Sequence, residues 1–130
     1  AVKLLFSTVG SDLDAGMKEV ELMQRVRHPN VVACFGIFQN AERTGILMEW
    51  CEQGGFHKHF LQSSAPSTPE EWQRVLRALI DVAEGLRFLH NRDIVHRDVK
   101  PENLLLTGPG GPAKVGDLGL AKLVKTAGGQ

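Results

Sequence analysis

Between His96 and Asn103 the chain gathers an imidazole, a guanidinium, a carboxylate, an ammonium and a carboxamide in one short stretch, His96-Arg97-Asp98-Val99-Lys100-Pro101-Glu102-Asn103. These groups suit phosphoryl transfer. Asp98 can orient an attacking hydroxyl and accept its proton, Lys100 can neutralise the moving phosphate, and Asn103, five residues after Asp98, can hold a divalent metal.

Such a loop works only if rigid elements hold it. Thr68-Pro69-Glu70-Glu71 is a capping box with proline at the first helical position, the sharpest helix start in the chain. From there Trp72, Val75, Leu76, Leu79, Ile80, Ala83, Leu86 and Leu89 keep a helical period to about His90, so this helix is expected to be core scaffold. It delivers the loop through Asn91-Arg92-Asp93 and a short strand, Ile94-Val95. An apolar strand, Leu104 to Leu106, follows.

Upstream, residues 1 to 6 are apolar apart from Lys3 and suit a strand. Ser11, Asp12 and Asp14 are cap candidates for a helix over residues 14 to 27, with Met17, Val20, Met23 and Val26 or Leu22 as its apolar stripe and Pro29 as its stop. Val31 to Phe38 and Gly45 to Trp50 read as two buried strands around the polar turn Gln39 to Arg43. Phe56 to Gln62 suits a short helix, and Ser63 to Ser67 a polar loop.

Two tempting patterns are set aside. His57-Lys58-His59 offers two imidazoles, but alternate helical residues point in different directions and no third ligand is evident, so a solvated face is expected. Thr107-Gly108-Pro109-Gly110-Gly111-Pro112-Ala113 formally fits a dinucleotide fingerprint. That fingerprint must open a helix with its N–H groups aimed at phosphate, whereas here Pro112 and a short strand follow, so a turn is expected.

The loop resembles the catalytic loop of the eukaryotic protein kinases, H-R-D-x-K-x-x-N, whose fixed positions are all present as His96, Arg97, Asp98, Lys100 and Asn103. The resemblance extends over essentially the whole chain. Ala1-Val2-Lys3 matches the end of V-A-I-K, which implies that Lys3 grips the α- and β-phosphates of ATP and that Ala1 packs on the adenine. Glu19, ten residues before Pro29, matches the glutamate that pairs with that lysine, with Met23 one turn later packing inside. Glu49-Trp50-Cys51-Glu52-Gln53-Gly54-Gly55 resembles the hinge, with Met48 as gatekeeper and the backbone of Glu49 and Cys51 offered to the adenine edge. Leu105 joins the implied nucleotide-binding set. Asp117-Leu118-Gly119 resembles D-F-G, with Asp117 as a magnesium ligand beside Asn103 and an apolar but not aromatic plug at Leu118.

The implied architecture is an α+β, bilobal kinase-like fold in incomplete form. Residues 1 to 50 would supply part of the sheet-bearing lobe with its helix, and residues 51 to 130 the hinge and the first part of the helical lobe. The family's glycine-rich loop is expected before Ala1 and the rest of its activation segment after Gln130, so the chain taken alone is expected to be an inactive fragment. Lys100 favours the serine/threonine branch, with ATP and Mg2+ as cofactors and a protein hydroxyl as acceptor. A non-catalytic kinase-like interaction module or pseudokinase is the alternative, disfavoured because every catalytic polar residue is present.

Composition agrees with a globular domain. The chain has 130 residues and equal numbers of acidic and basic side chains, 15 of each, so bulk charge favours neither nucleic acid nor a membrane surface. No apolar run approaches a membrane span, and Cys34 and Cys51 lie apart in apolar surroundings, which suits buried thiols and a cytoplasmic setting. Oligomeric state is not legible.

Overall fold

The computed structural model describes residues 1–5, 11–41, 43–62 and 64–124. Strand β1 (Val2–Leu5) leads to helix α1 (Ser11–Gln24), and then β2 (Cys34–Gln39) and β3 (Thr44–Met48) complete an antiparallel sheet in the order β1-β3-β2. After β4 (Gly54–Gly55) comes a π-helical turn, His57–Leu61, and then the long helix α2 (Pro69–His90). Beyond it lie β5 (Ile94–Val95), β6 (Leu104–Leu106), β7 (Ala113–Val115) and β8 (Lys122–Leu123). These pair as a second small sheet, β4-β6-β7, and a β5-β8 ribbon.

Helix α2 starts where the capping box places it. The Glu71 N–H donates to Thr68 Oγ1 at 3.2 Å, the Thr68 N–H donates to Glu71 Oε2 at 3.2 Å, and Pro69 occupies the first turn. Those backbone donations hold the Glu71 carboxyl below the usual carboxylate range. The apolar stripe, however, divides. Val75, Ala78, Val82, Gly85 and Leu89 face the core, whereas Trp72, Leu76, Leu79 and Ile80 are exposed. The expected stripe thus merged two faces, because small residues at 78 and 85 conceal where the neighbouring backbone comes closest. At Gly85 an added Cβ would lie 2.4 Å from the Asn30 carbonyl oxygen, so only glycine lets the helix seat against the His28-Pro29-Asn30 turn.

Helix α1 runs three residues earlier at both ends than the periodicity suggested. Arg25 and Val26 donate to the Leu22 and Met23 carbonyls in tightened last turns, since Pro29 disfavours helical geometry at His28. Val20, Leu22, Met23 and Val26 are buried while Met17 is exposed, so the stripe holds only from Val20 onward. The two strands expected to be buried differ. Most of β2 is exposed, Phe35 at 64%, with a register shift between Cys34 and Gly36. In β3 the residues Thr44, Gly45 and Ile46 are buried and Leu47 is not. The core lies instead where α1, α2 and the β6–β7 pair converge, on Met23, Ile46, Leu89, Ile94, Val115 and Leu118.

Candidate active site

The loop between β5 and β6 is tied to the segment after β7, which carries Asp117, by one residue in particular. His96 is 1% exposed, and its Nδ1 accepts the Asp98 N–H at 3.1 Å. That bond makes Nδ1 the acceptor, so the ring donates from Nε2 to the Gly116 carbonyl at 2.7 Å. The Gly116 N–H in turn donates to the Asn103 carbonyl at 2.8 Å. The backbone before Asp98, the backbone at Asn103 and the residue preceding Asp117 are thereby locked together.

Within that frame the side chains converge. Asn103, buried, donates from Nδ2 to the Asp98 carbonyl at 2.8 Å and to Asp98 Oδ2 at 3.0 Å. Lys100 Nζ lies 3.3 Å from the same Oδ2. The carboxylate of Asp98 is therefore held through Oδ2 by an amide and an ammonium, and its Oδ1 has no hydrogen-bond partner among the described residues. Arg97 takes a positive φ of 66°, a local backbone cost met by the bonds on either side.

Asp117 also adopts a left-handed conformation, φ 53°, and caps a short 3-10 turn, Leu118–Leu120, by accepting the Gly119 N–H at 3.2 Å. Leu118 is buried in the same core as Met23. Lys3 Nζ lies 3.1 Å from Asp117 Oδ1, bringing together residues from β1 and from the far end of the chain. Burial pushes the Asp117 carboxyl up, but the Lys3 charge and hydrogen bond and the Gly119 N–H outweigh it, and the carboxyl titrates below its ordinary range. Glu19 lies on α1, but its side chain is outside the described residues.

At the segment after β3 the Met48 N–H donates to the Ala1 carbonyl at 2.8 Å, setting Ala1 beside Met48. Of the backbone groups of Glu49 and Cys51 expected to meet an adenine edge, two are engaged within the chain. The Glu49 N–H is spent on the Ala33 carbonyl at 2.9 Å, and the Cys51 carbonyl accepts the Gly54 N–H, which leaves the Glu49 carbonyl and the Cys51 N–H. Burial, then the Glu49 charge, push the Cys51 thiol up, which favours its protonated form. Leu105 on β6 packs against Gly116, where its Cδ1 would lie 3.2 Å from an added Cβ.

One participant was not foreseen. Lys114, on β7 and 8% exposed, reaches Glu49 Oε1 at 2.9 Å, while Glu49 Oε2 accepts the Ala33 N–H at 3.2 Å. A lysine between Ala113 and Val115 in an apolar strand is the only sequence sign of it, and nothing local names its partner.

The oxygens left over suit a hard cation. Asn103 Oδ1 and the second oxygen of Asp117 are the donor types magnesium prefers, and Lys3 stands beside Asp117. Residues 1–129 match the protein kinase domain family. The chain is 35% identical over 114 residues to the human serine/threonine-protein kinase Nek5, covering 88% of this chain and 16% of that protein. It is 38% identical over 110 residues to human serine/threonine-protein kinase STK11, covering 81% and 24%, and 36% identical over 128 residues to the PR5-like receptor kinase of Arabidopsis thaliana, covering 96% and 19%. It thus spans a quarter or less of the length of these relatives. With a mixed α+β architecture and a match along nearly its whole length, the chain belongs to the protein kinase domain family.

Proposed function

We propose that the protein of which this domain is part transfers the γ-phosphate of ATP to a serine or threonine hydroxyl of a protein substrate. Asp98 orients the hydroxyl and takes its proton, and Lys100 screens the charge between that carboxylate and the phosphate. Asn103 and Asp117 would hold Mg2+ and Lys3 the α- and β-phosphates, with Glu19 the residue that would steady Lys3. Ala1, Met48 and Leu105 enclose the adenine, whose edge meets the Glu49 carbonyl and the Cys51 N–H. Bound magnesium would neutralise charge on the phosphates. Residues 1 to 50 and 51 to 130 form the two sides of this cleft.

The observation that carries the reading is the lock of His96 between the Asp98 N–H and the Gly116 carbonyl, 3.1 and 2.7 Å, which holds a candidate base and a candidate metal ligand in fixed relation. The test is phosphoamino-acid analysis after the full-length protein has reacted with labelled ATP and a mixed peptide pool. Phosphoserine and phosphothreonine are expected. Dominant phosphotyrosine would overturn the role given to Lys100, and no incorporation at all would favour a non-catalytic interaction module.

A further inference from the structure

Lys114 has no part in phosphoryl transfer, yet it is 8% exposed and lies between Ala113 and Val115, both buried in the core. A buried ammonium is costly unless it is paired. Its partner is Glu49, whose Oε1 lies 2.9 Å from Lys114 Nζ.

Strand β7 delivers that ammonium from a fixed position. On one edge β7 pairs with β6, where Lys114 stands opposite Leu105. On the other edge the Val115 N–H donates to the Asn30 carbonyl at 2.8 Å and the Val32 N–H donates to the Val115 carbonyl at 2.9 Å, while Asn30 Nδ2 donates to the Ala113 carbonyl at 3.0 Å. Cross-strand partners project to the same face, so Lys114 shares its face of the sheet with Leu105, and Ala113 and Val115 take the opposite one.

Glu49 is held on every side but one. Its Oε1 meets Lys114, its Oε2 accepts the Ala33 N–H at 3.2 Å, and its own N–H donates to the Ala33 carbonyl at 2.9 Å. Among the described residues this leaves the Glu49 carbonyl as an acceptor and, two residues on, the Cys51 N–H as a donor. Adenine complements that pair with an amino donor and a ring-nitrogen acceptor. Guanine presents an oxo acceptor and an N–H donor, the reverse order.

We propose that Lys114 is a positioning residue for the nucleotide: by holding the Glu49 side chain it fixes the Glu49 carbonyl and the Cys51 N–H in the arrangement that accepts adenine and refuses guanine. The inference rests on the adenine contacts of the proposed function. Lys114 acts only through Glu49.

The test is steady-state phosphorylation by the full-length protein with ATP and with GTP, joined to direct titration of each nucleotide. Lys114→Met should raise the KM for ATP by about tenfold or more, leave turnover at saturating ATP within about threefold, and lower the preference for ATP over GTP by about as much as the KM rises. Lys114→Arg, which keeps the charge, should restore most of both. If Lys114→Met does not fold, Glu49→Gln, which removes the charge that Lys114 meets, should still raise the KM several-fold. Unchanged KM and ATP preference in these variants would overturn the inference, as would a loss of turnover with KM unmoved or no recovery with arginine. Titration separates this from a failure of the proposed function. An unaltered protein that binds neither nucleotide sinks both readings, whereas ATP binding that is equally tight with and without Lys114 sinks this one alone.

Discussion

The β1-β3-β2 sheet and the unit formed by β6, β7 and the loop before them are both small and antiparallel, yet they are held by different physics. In the sheet, Val2, Leu4, Phe35, Ile37 and Leu47 all lie at least partly in solvent, so cohesion comes from ladder hydrogen bonds and one buried row around Ile46. In the other unit Leu104, Leu106, Ala113 and Val115 are buried, and His96, Asn103 and Gly116 cross-link it from within. The geometry of the candidate site is stored in the second region. The first presents Lys3, a single long side chain that reaches across to it.

The comparison can be broken or sharpened by substitution, and the largest effect belongs to the loop. Asp98→Asn in the full-length protein should lower turnover by roughly 10²–10⁴-fold, the usual contribution of a positioned base, while ATP affinity measured by titration is retained. Turnover near that of the unaltered protein would remove Asp98 from the role of base. Packing should differ between the two regions just as clearly. Leu118→Ala, in the core beside Met23, should cost about 2–5 kcal/mol, whereas Phe35→Ala, 64% exposed, should cost within about 0.5 kcal/mol, both read from denaturant midpoints. Equal costs would erase the distinction between a packed unit and a lightly packed sheet.

The bridge between the regions can be read by pH. The Asp117 carboxyl titrates below its ordinary value in the fold, so its contribution to stability is complete at neutral pH. That contribution is lost only as pH falls below the unfolded value of about 3.9 and through the folded one. Lys3→Met should move the Asp117 titration upward, followed by carbon NMR of the carboxyl, and should narrow the acid-dependent loss of stability. An unmoved titration would mean that the Gly119 N–H, not Lys3, sets the proton affinity. Smallest is the cap of α2, which serves neither region directly. Thr68→Ala should cost about 0.5–2 kcal/mol in thermal or denaturant unfolding without altering turnover.

Much of the site was legible because its signals are local. The spacing of Asp98, Lys100 and Asn103 within one loop fixes which groups can meet, and the structure places Lys100 and Asn103 on the Asp98 carboxylate. The capping box at Thr68 is likewise a contact between neighbours in sequence, and it formed as its residues dictate.

Contacts between distant segments were not legible in the same way. The division of α2 into a buried face and an exposed one depends on which helix side meets Asn30 and Val115, and a 3.6-residue period is silent about that choice. The Lys114–Glu49 pair, the bond from His96 to Gly116 and the meeting of His59 with Arg74 join residues from different elements, so no spacing within the chain encodes them. Residue types and short-range spacing determined the chemistry that is available and the helix that supports it. Only tertiary packing decided which faces are dry, which backbone groups remain open to a ligand and how β1 reaches Asp117, because burial and hydrogen-bond pairing depend on three-dimensional neighbours.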